Sequence, residues 1–301
     1  MIGQAIHGVL NRLMPTGVHL QRAFRDKPRS AAPHVVENLA RAFPAKGPDE
    51  IERIAIDHAA FSERRVYLQR EMQGRVKKNQ RWWTVSGAEN LQTALGEGRG
   101  VILVSAHFGH GKLIAPALWA AGFPIRLVRA LGTGNEKKRR FGRQGNWEEI
   151  RAGLDVRPLL KALADNRVLV LLGDGMRSSD FEEAPIFHAR YPFSTGFVKL
   201  AEATGSIVLP VFAIEENART PLQIRICESM PIESSKSMAA SVGLFSDALM
   251  DQLKQHPHQW HRWSVPSLFD NARAWADSEE RWSASFGQWC LARETGGVGV
   301  E

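Results

Sequence analysis

The spacing of apolar and polar positions divides the chain into two parts. From His34 to about Met72 apolar residues recur at helical spacing in two runs. "HVVENLARAF" is closed by Pro44, and "GPDEIERIAIDHAAFSERRVYLQREM" opens on Pro48-Asp49-Glu50, good first-turn residues. After Gly87 the period changes. Short apolar-rich runs at 101–105, 125–129, 168–172, 207–212 and 222–227 predict strands, and helical segments are predicted between them at 112–121, 157–165, 196–204 and 239–255. Buried apolar strands alternating with helices predict an α/β fold: a largely parallel mixed sheet flanked by helices, with an N-terminal helical cap. The expected organisation is an amphipathic N-terminal segment at 1–30, an α/β domain at 31–275, and a C-terminal helix and tail at 276–301.

In the first segment Ile2, Ala5, Ile6, Val9, Leu10, Leu13 and Met14 recur at helical spacing, opposite Gln4, His7, Asn11 and Arg12. Such a helix lies either in a membrane interface or on the domain's own core. No run reaches the roughly 18–20 uncharged apolar residues of a membrane-spanning helix. With 301 residues, 44% hydrophobic and 24% charged, the chain reads as globular and able to bury a sizeable core. The net charge of +7 favours an anionic partner: nucleic acid, an acidic lipid surface, a phosphorylated ligand or an acidic carrier protein. No recognition motif or aromatic stacking pattern accompanies the charge, so nucleic acid is not expected. Two cysteines, Cys227 and Cys290, with no C-x-x-C and no secretory leader, predict neither a disulfide framework nor a cysteine metal site, and a cytoplasmic setting.

Basic residues gather in two places. Arg64, Arg65, Arg70, Arg75, Lys77, Lys78 and Arg81 form either a solvated face or an anion site, and Lys137, Lys138, Arg139, Arg140 and Arg143 either a solvated loop or a phosphate-binding one. Candidate chemistry lies at strand ends, where ligands of α/β sheets sit. "VILVSAHFGHGKLIAPAL" runs from a strand into His107, then Phe108, Gly109, His110, Gly111 and Lys112 at a tight turn before a helix. A neutral histidine there can take a proton from a hydroxyl; a lone histidine can equally be structural. Asp174 follows the strand "VLVLL" between two glycines, and Ser194-Thr195-Gly196 starts a helix on the same edge.

Several stretches in this order resemble the lipid A biosynthesis (late) acyltransferases of bacteria, within the lysophospholipid acyltransferase superfamily: "VENLARAFP", "VSGAENLQTALGEGRGVILVSAHFGH", "RPLLKALADNRVLVLLGDG", "TGFVKLAEATGSIVLPVF" and "LKQHPHQWHRW". The resemblance implies transfer of an acyl group from an acyl carrier protein or coenzyme A thioester to a hydroxyl, or an amine, of a lipid-like or carrier-held acceptor. It implies no bound cofactor and no metal. Acyl carrier protein is the partner expected, and the inner-membrane surface is reached through residues 2–14. The family motif is H-x-x-x-x-E or H-x-x-x-x-D, commonly H-F-G-N-W-E, with the histidine as base and the carboxylate orienting it.

Here His107, Phe108 and Gly109 match that motif. His110 and Gly111 replace Asn and Trp, and Lys112 replaces the acid. A cation cannot accept the imidazole N–H and disfavours the imidazolium. By position in the resemblance, Arg143, Asp174 and Gly196 fall at the family's substrate-binding places, and His188 stands where a glycine is usual. The sequence therefore supports an acyltransferase whose base, His107, is oriented by another group such as His110, Asp174 or a backbone carbonyl. The alternative is a noncatalytic relative that keeps the groove as a binding or scaffold subunit.

Overall fold

The computed structural model describes residues 31–73, 83–130, 149–152, 156–175, 180–216, 222–232 and 237–270. The N-terminal amphipathic segment, the basic loop carrying Arg143 and the C-terminal tail lie outside these residues.

The cap is two helices, α1 (Pro33–Ala42) and α2 (Pro48–Gln73), each opened by a proline whose missing N–H costs nothing at that position. The remaining elements are β1 (Trp83–Ser86), α3 (Ala88–Gly96), β2 (Val101–Ser105), α4 (Ile114–Ala120), β3 (Ile125–Ala130), β4 (Glu149–Ala152), α5 (Arg157–Ala164), β5 (Val168–Leu172), β6 (Phe181–Ile186), β7 (Ala189–Ser194), α6 (Gly196–Thr204), β8 (Ile207–Ile214), β9 (Leu222–Ile226) and α7 (Met238–Gln255). Seven strands form one sheet in the order β1-β9-β8-β2-β5-β3-β4. All neighbours are parallel except β8 and β9, and β6 and β7 form a separate antiparallel hairpin.

The predicted strands at 101–105 and 168–172 match β2 and β5. β8 runs two residues further than its apolar run, because β9 pairs antiparallel with its second half, from Val211↔Ile226 to Ile214↔Gln223. Strands β1, β4, β6 and β7 and helix α3 have no counterpart among the expected elements. β1 and β4 are four-residue edge strands, too short to show a period, and β6 carries Glu182, Glu183 and Pro185 within six residues. Tertiary pairing makes these strands, with little help from local pattern.

The core has two halves, one on each face of the sheet. Ile102, Val104, Leu169, Val208, Phe212 and Ile214 point into one cluster, while Val101, Leu103, Val168, Val170, Leu209, Val211 and Ala213 point into the other. This strand alternation explains why β2 is apolar from Val101 to Val104: those side chains enter a core on either face. Burying each such side chain contributes roughly 1.5–3 kcal/mol. β2 is therefore firmly held, and whatever follows Ser105 is anchored to it.

The cap is fastened by polar bonds. In α1 Asn38 Nδ2 donates to the carbonyls of Trp263 (3.0 Å) and Val265 (2.8 Å), and the side chain is buried. From α2, His58 Nδ1–H donates to the His258 carbonyl (2.9 Å), leaving Nε2 to accept from the Ser264 hydroxyl (2.9 Å). That arrangement needs a neutral ring, and burial holds the His58 imidazole down to about 4. An unfolded histidine takes its proton near 6.5, so stability is full above that pH and is lost as pH falls toward 4, by about 3 kcal/mol for this group. Urea unfolding at pH 7.5 and pH 4.5 checks this. In His58→Gln the slope of stability against pH over that interval becomes shallower by about one proton.

Candidate active site

The parallel register of the two central strands builds the site. β2 and β5 pair with Ser105 opposite Leu172, and the Gly173 N–H continues the ladder to the Ser105 carbonyl at 2.7 Å. Two residues beyond each strand end, the same register sets His107 beside Asp174. The Asp174 carboxylate accepts the His107 backbone N–H on both oxygens (2.9 Å each) and the His107 Nδ1–H on Oδ1 (2.7 Å). The carboxylate is wholly buried, whereas the His107 side chain is 30% exposed.

Burial alone opposes ionisation of Asp174. His107, Arg262 and Trp260 together outweigh it and hold the carboxyl well below the usual carboxylate range. Trp260 Nε1–H donates to Oδ2 at 2.9 Å, and Arg262 Nε stands 3.7 Å from the same oxygen. Arg262 Nη2–H and the Tyr191 hydroxyl both donate to the Asp174 backbone carbonyl, at 3.0 and 2.9 Å. An ionised, acceptor-only carboxylate on Nδ1 requires the tautomer with Nδ1–H, so Nε2 carries the lone pair.

The turn bearing His107 is sewn to the segment after α7. Two short 3-10 turns, Pro257–Gln259 and His261–Ser264, flank Trp260, which forms an antiparallel bridge with Phe108. Gly109 N–H donates to the Gln259 carbonyl (2.9 Å), His261 N–H to the His107 carbonyl (2.8 Å) and His110 N–H to the Ala213 carbonyl (2.8 Å). Gly109 sits at φ +55, and a Cβ there would stand 1.9 Å from the Ala213 carbonyl oxygen. Both constraints require glycine.

The other residues of the motif separate. His110 is fully buried and faces away from the dyad: its Nε2–H donates to Glu215 Oε2 at 2.9 Å, Phe61 packs edge-on at 5.3 Å, and among the described residues nothing hydrogen-bonds to Nδ1. Glu215, immediately after β8, also accepts from Arg64 Nε (2.9 Å) and Nη2 (2.8 Å). Burial pushes His110 down and keeps it neutral; for Glu215 burial acts upward, but His110 and Arg64 outweigh it and the carboxyl stays ionised. Lys112 is exposed on the 3-10 turn Gly111–Leu113, and the Nδ1 edge of His107 that would need an acid from position 112 is occupied by Asp174.

Phe108 is buried behind the turn against Phe212, ring centroids 5.8 Å apart. Gly196 is the first residue of α6, as expected from the sequence, and its N–H reaches the Ser194 hydroxyl at 3.4 Å. His188 lies in the turn between β6 and β7, next to Phe187 at φ +53. Arg143 is outside the described residues.

A solvated face is not what Arg64 and Arg65 form. Both turn inward from α2, Arg64 to Glu215 and Arg65 Nη2 to His261 Nδ1 at 3.1 Å, because their long side chains cross the back of the histidine turn. The side chains of the run from Arg70 onward lie outside the described residues. Sequence reasoning assigned no role to Trp260, Arg262, Tyr191, Glu215 or Gln259. Only the density of His, Trp and Arg in "HPHQWHRW" hinted at the first two.

The profile of the bacterial lipid A biosynthesis acyltransferases matches residues 12–264. The chain belongs to that family. It is similar to a phosphatidylinositol mannoside acyltransferase of Mycobacterium tuberculosis, 23% identical over 244 residues, which cover 75% of this chain and 73% of the relative. Among solved structures it is similar to the 1-acyl-sn-glycerophosphate (LPA) acyltransferase of Thermotoga maritima, with a TM-score of 0.40 and 15% identity over 81% of this chain and 97% of that one. Among the described residues of this family member no helix is long and apolar enough to cross a membrane, and no group of histidine, cysteine, aspartate and glutamate side chains is arranged to hold a metal ion.

Gly109→Ala is expected to destabilise the fold by about 3 kcal/mol or more, since strain and a backbone clash coincide at one residue. Its urea midpoint against the wild type measures this.

Proposed function

We propose that this family member transfers an acyl group from an acyl carrier protein or coenzyme A thioester to a hydroxyl of a lipid-like or carrier-held acceptor, with His107 as general base. One observation carries the reading: the 2.7 Å contact that fixes Nδ1–H on a buried carboxylate and leaves Nε2 with its lone pair on a partly exposed ring. Nε2 takes the proton of the acceptor hydroxyl as its oxygen adds to the thioester carbonyl. The tetrahedral intermediate then expels the thiolate, the new ester bond remains, and the imidazolium returns the proton to the departing sulfur. Asp174, ionised and acceptor-only, steadies that imidazolium without itself taking a proton, the usual part of a buried acid behind a histidine base. A thiolate leaves readily, so positioning and proton removal are the main tasks left to the chain.

The Asp174 contact also bears on Lys112. The orienting carboxylate comes from the end of β5, and the lysine at the motif's acid position leaves it in place. This favours a working centre over a scaffold subunit that has lost its chemistry. Acyl carrier protein as donor partner and a peripheral position on the inner membrane through residues 2–14 complete the proposal. Both rest on the family resemblance and on the basic charge of the chain.

The test is mass spectrometry of acyl transfer from a long-chain acyl-coenzyme A or acyl carrier protein to a lipid extract. His107→Ala and Asp174→Asn are each expected to lower the rate by roughly 10²- to 10⁴-fold. Transfer that survives both removes the dyad from the mechanism. Lys112→Glu is expected to restore nothing and to change the rate by less than about tenfold, the scale of a surface charge. A large gain would show that the motif position, and not Asp174, supplies the missing acid.

A further inference from the structure

Arg262 reaches the dyad more closely than any other cation among the described residues. Its side chain is 4% exposed, and Nη2 lies 3.0 Å from the Asp174 carbonyl and 3.0 Å from His107 Nδ1. Gly175 lies between the two groups: a Cβ there would be 3.6 Å from both Arg262 Nη2 and His107 Cε1. The nitrogen Nδ1 has one in-plane position. It either donates its N–H to Asp174 or offers a lone pair to Arg262, and it cannot do both. The carboxylate at 2.7 Å selects N–H, so the guanidinium is held against the edge of the imidazole without a hydrogen bond to it.

Such a placement has an electrostatic meaning. A histidine on an ionised, buried carboxylate gains proton affinity, and a base that is already protonated takes no proton from an acceptor. A fixed positive charge beside the ring opposes that gain. We propose that Arg262 is a positioning residue of the transfer reaction, holding the Asp174 loop through its carbonyl and keeping His107 neutral and ready to accept a proton. This rests on the reading of His107 as base.

Other charged groups face His107 from each side. Asp174 follows β5, His261 and Arg262 belong to the last 3-10 turn, and Arg65 of α2 bears on the ring through His261. Behind the turn, Arg64 and Glu215 are paired with each other and with His110. His261 is held neutral by its own burial, with Arg65 acting in the same direction. Among the described residues, Arg262 is therefore the cation in direct contact that opposes Asp174.

The imidazole can be read without turnover. In the full chain labelled with 15N-histidine, His107 is assigned by the signal lost in His107→Ala and titrated from about pH 5 to 9. The wild type is expected to show Nδ1–H with Nε2 unprotonated, and a midpoint at or below the ordinary value of about 6.5. Arg262→Gln is expected to raise the proton affinity of His107 about tenfold or more, and the acidic limb of any transfer profile moves to higher pH with it. Arg262→Lys, which keeps the charge, stays near the wild type.

An unchanged midpoint in Arg262→Gln overturns the proposal, as does an equal shift in Arg262→Lys. So does a wild-type midpoint above about pH 7.5, a measurement that stands even if Arg262→Gln does not fold. Absence of transfer activity with this titration intact would instead count against the acyltransferase reading alone.

Discussion

The structure turns on one buried charge. Asp174 lies where β5 leaves the sheet, out of reach of solvent, and an ionised carboxylate there is tolerated only with its acceptor sites filled. The donors come from two parts of the chain, the backbone and ring of His107 after β2 and the indole of Trp260 after α7, and the guanidinium of Arg262 from that same segment adds its charge at 3.7 Å. The same need for satisfaction joins the histidine turn to the C-terminal segment. A single interaction thus sets the tautomer of the candidate base and closes the domain over the sheet edge.

A second buried carboxylate, two strands away, does for the cap what Asp174 does for the site. β8, β2 and β5 are adjacent and parallel, and each is followed within two residues by a member of these networks: Glu215, His107 and Asp174. Glu215 takes Arg64 from the cap helix and His110 from the histidine turn, while the Gln259 side-chain amide donates to the Glu215 carbonyl at 2.6 Å and accepts the Glu215 N–H at 3.1 Å. The two histidines of the turn thus have separate carboxylates and separate duties. His107 is partly exposed at the sheet edge, and His110 is locked inside as a fastener.

This division answers the question that Lys112 raises. Read along the chain, the lysine replaces the only nearby position from which an acid would orient His107, and the turn looks disabled. In space, the orienting acid is contributed by a strand paired in register with β2, 67 residues away in the chain. A lysine at an exposed position does not disturb it.

Periodicity was enough to show the central strands β2 and β5, the helices α5, α6 and α7 and the α/β class, because buried parallel strands are apolar on both faces and helices carry their own repeat. The motif around His107 and the glycines beside Asp174 also pointed to the candidate site from sequence alone. Short edge strands were not legible, since four residues hold no period. Trp260, Arg262 and Glu215 were not either, because nothing local to them distinguishes a buried donor from a surface one. Which carboxylate meets which histidine depends on strand register and on the return of the C-terminal segment, both long-range pairings. The sequence by itself determined the residues able to hold and move a proton; only the tertiary structure decided that Asp174 orients His107 while Glu215 secures His110, because a buried charge is matched by neighbours in space and not along the chain.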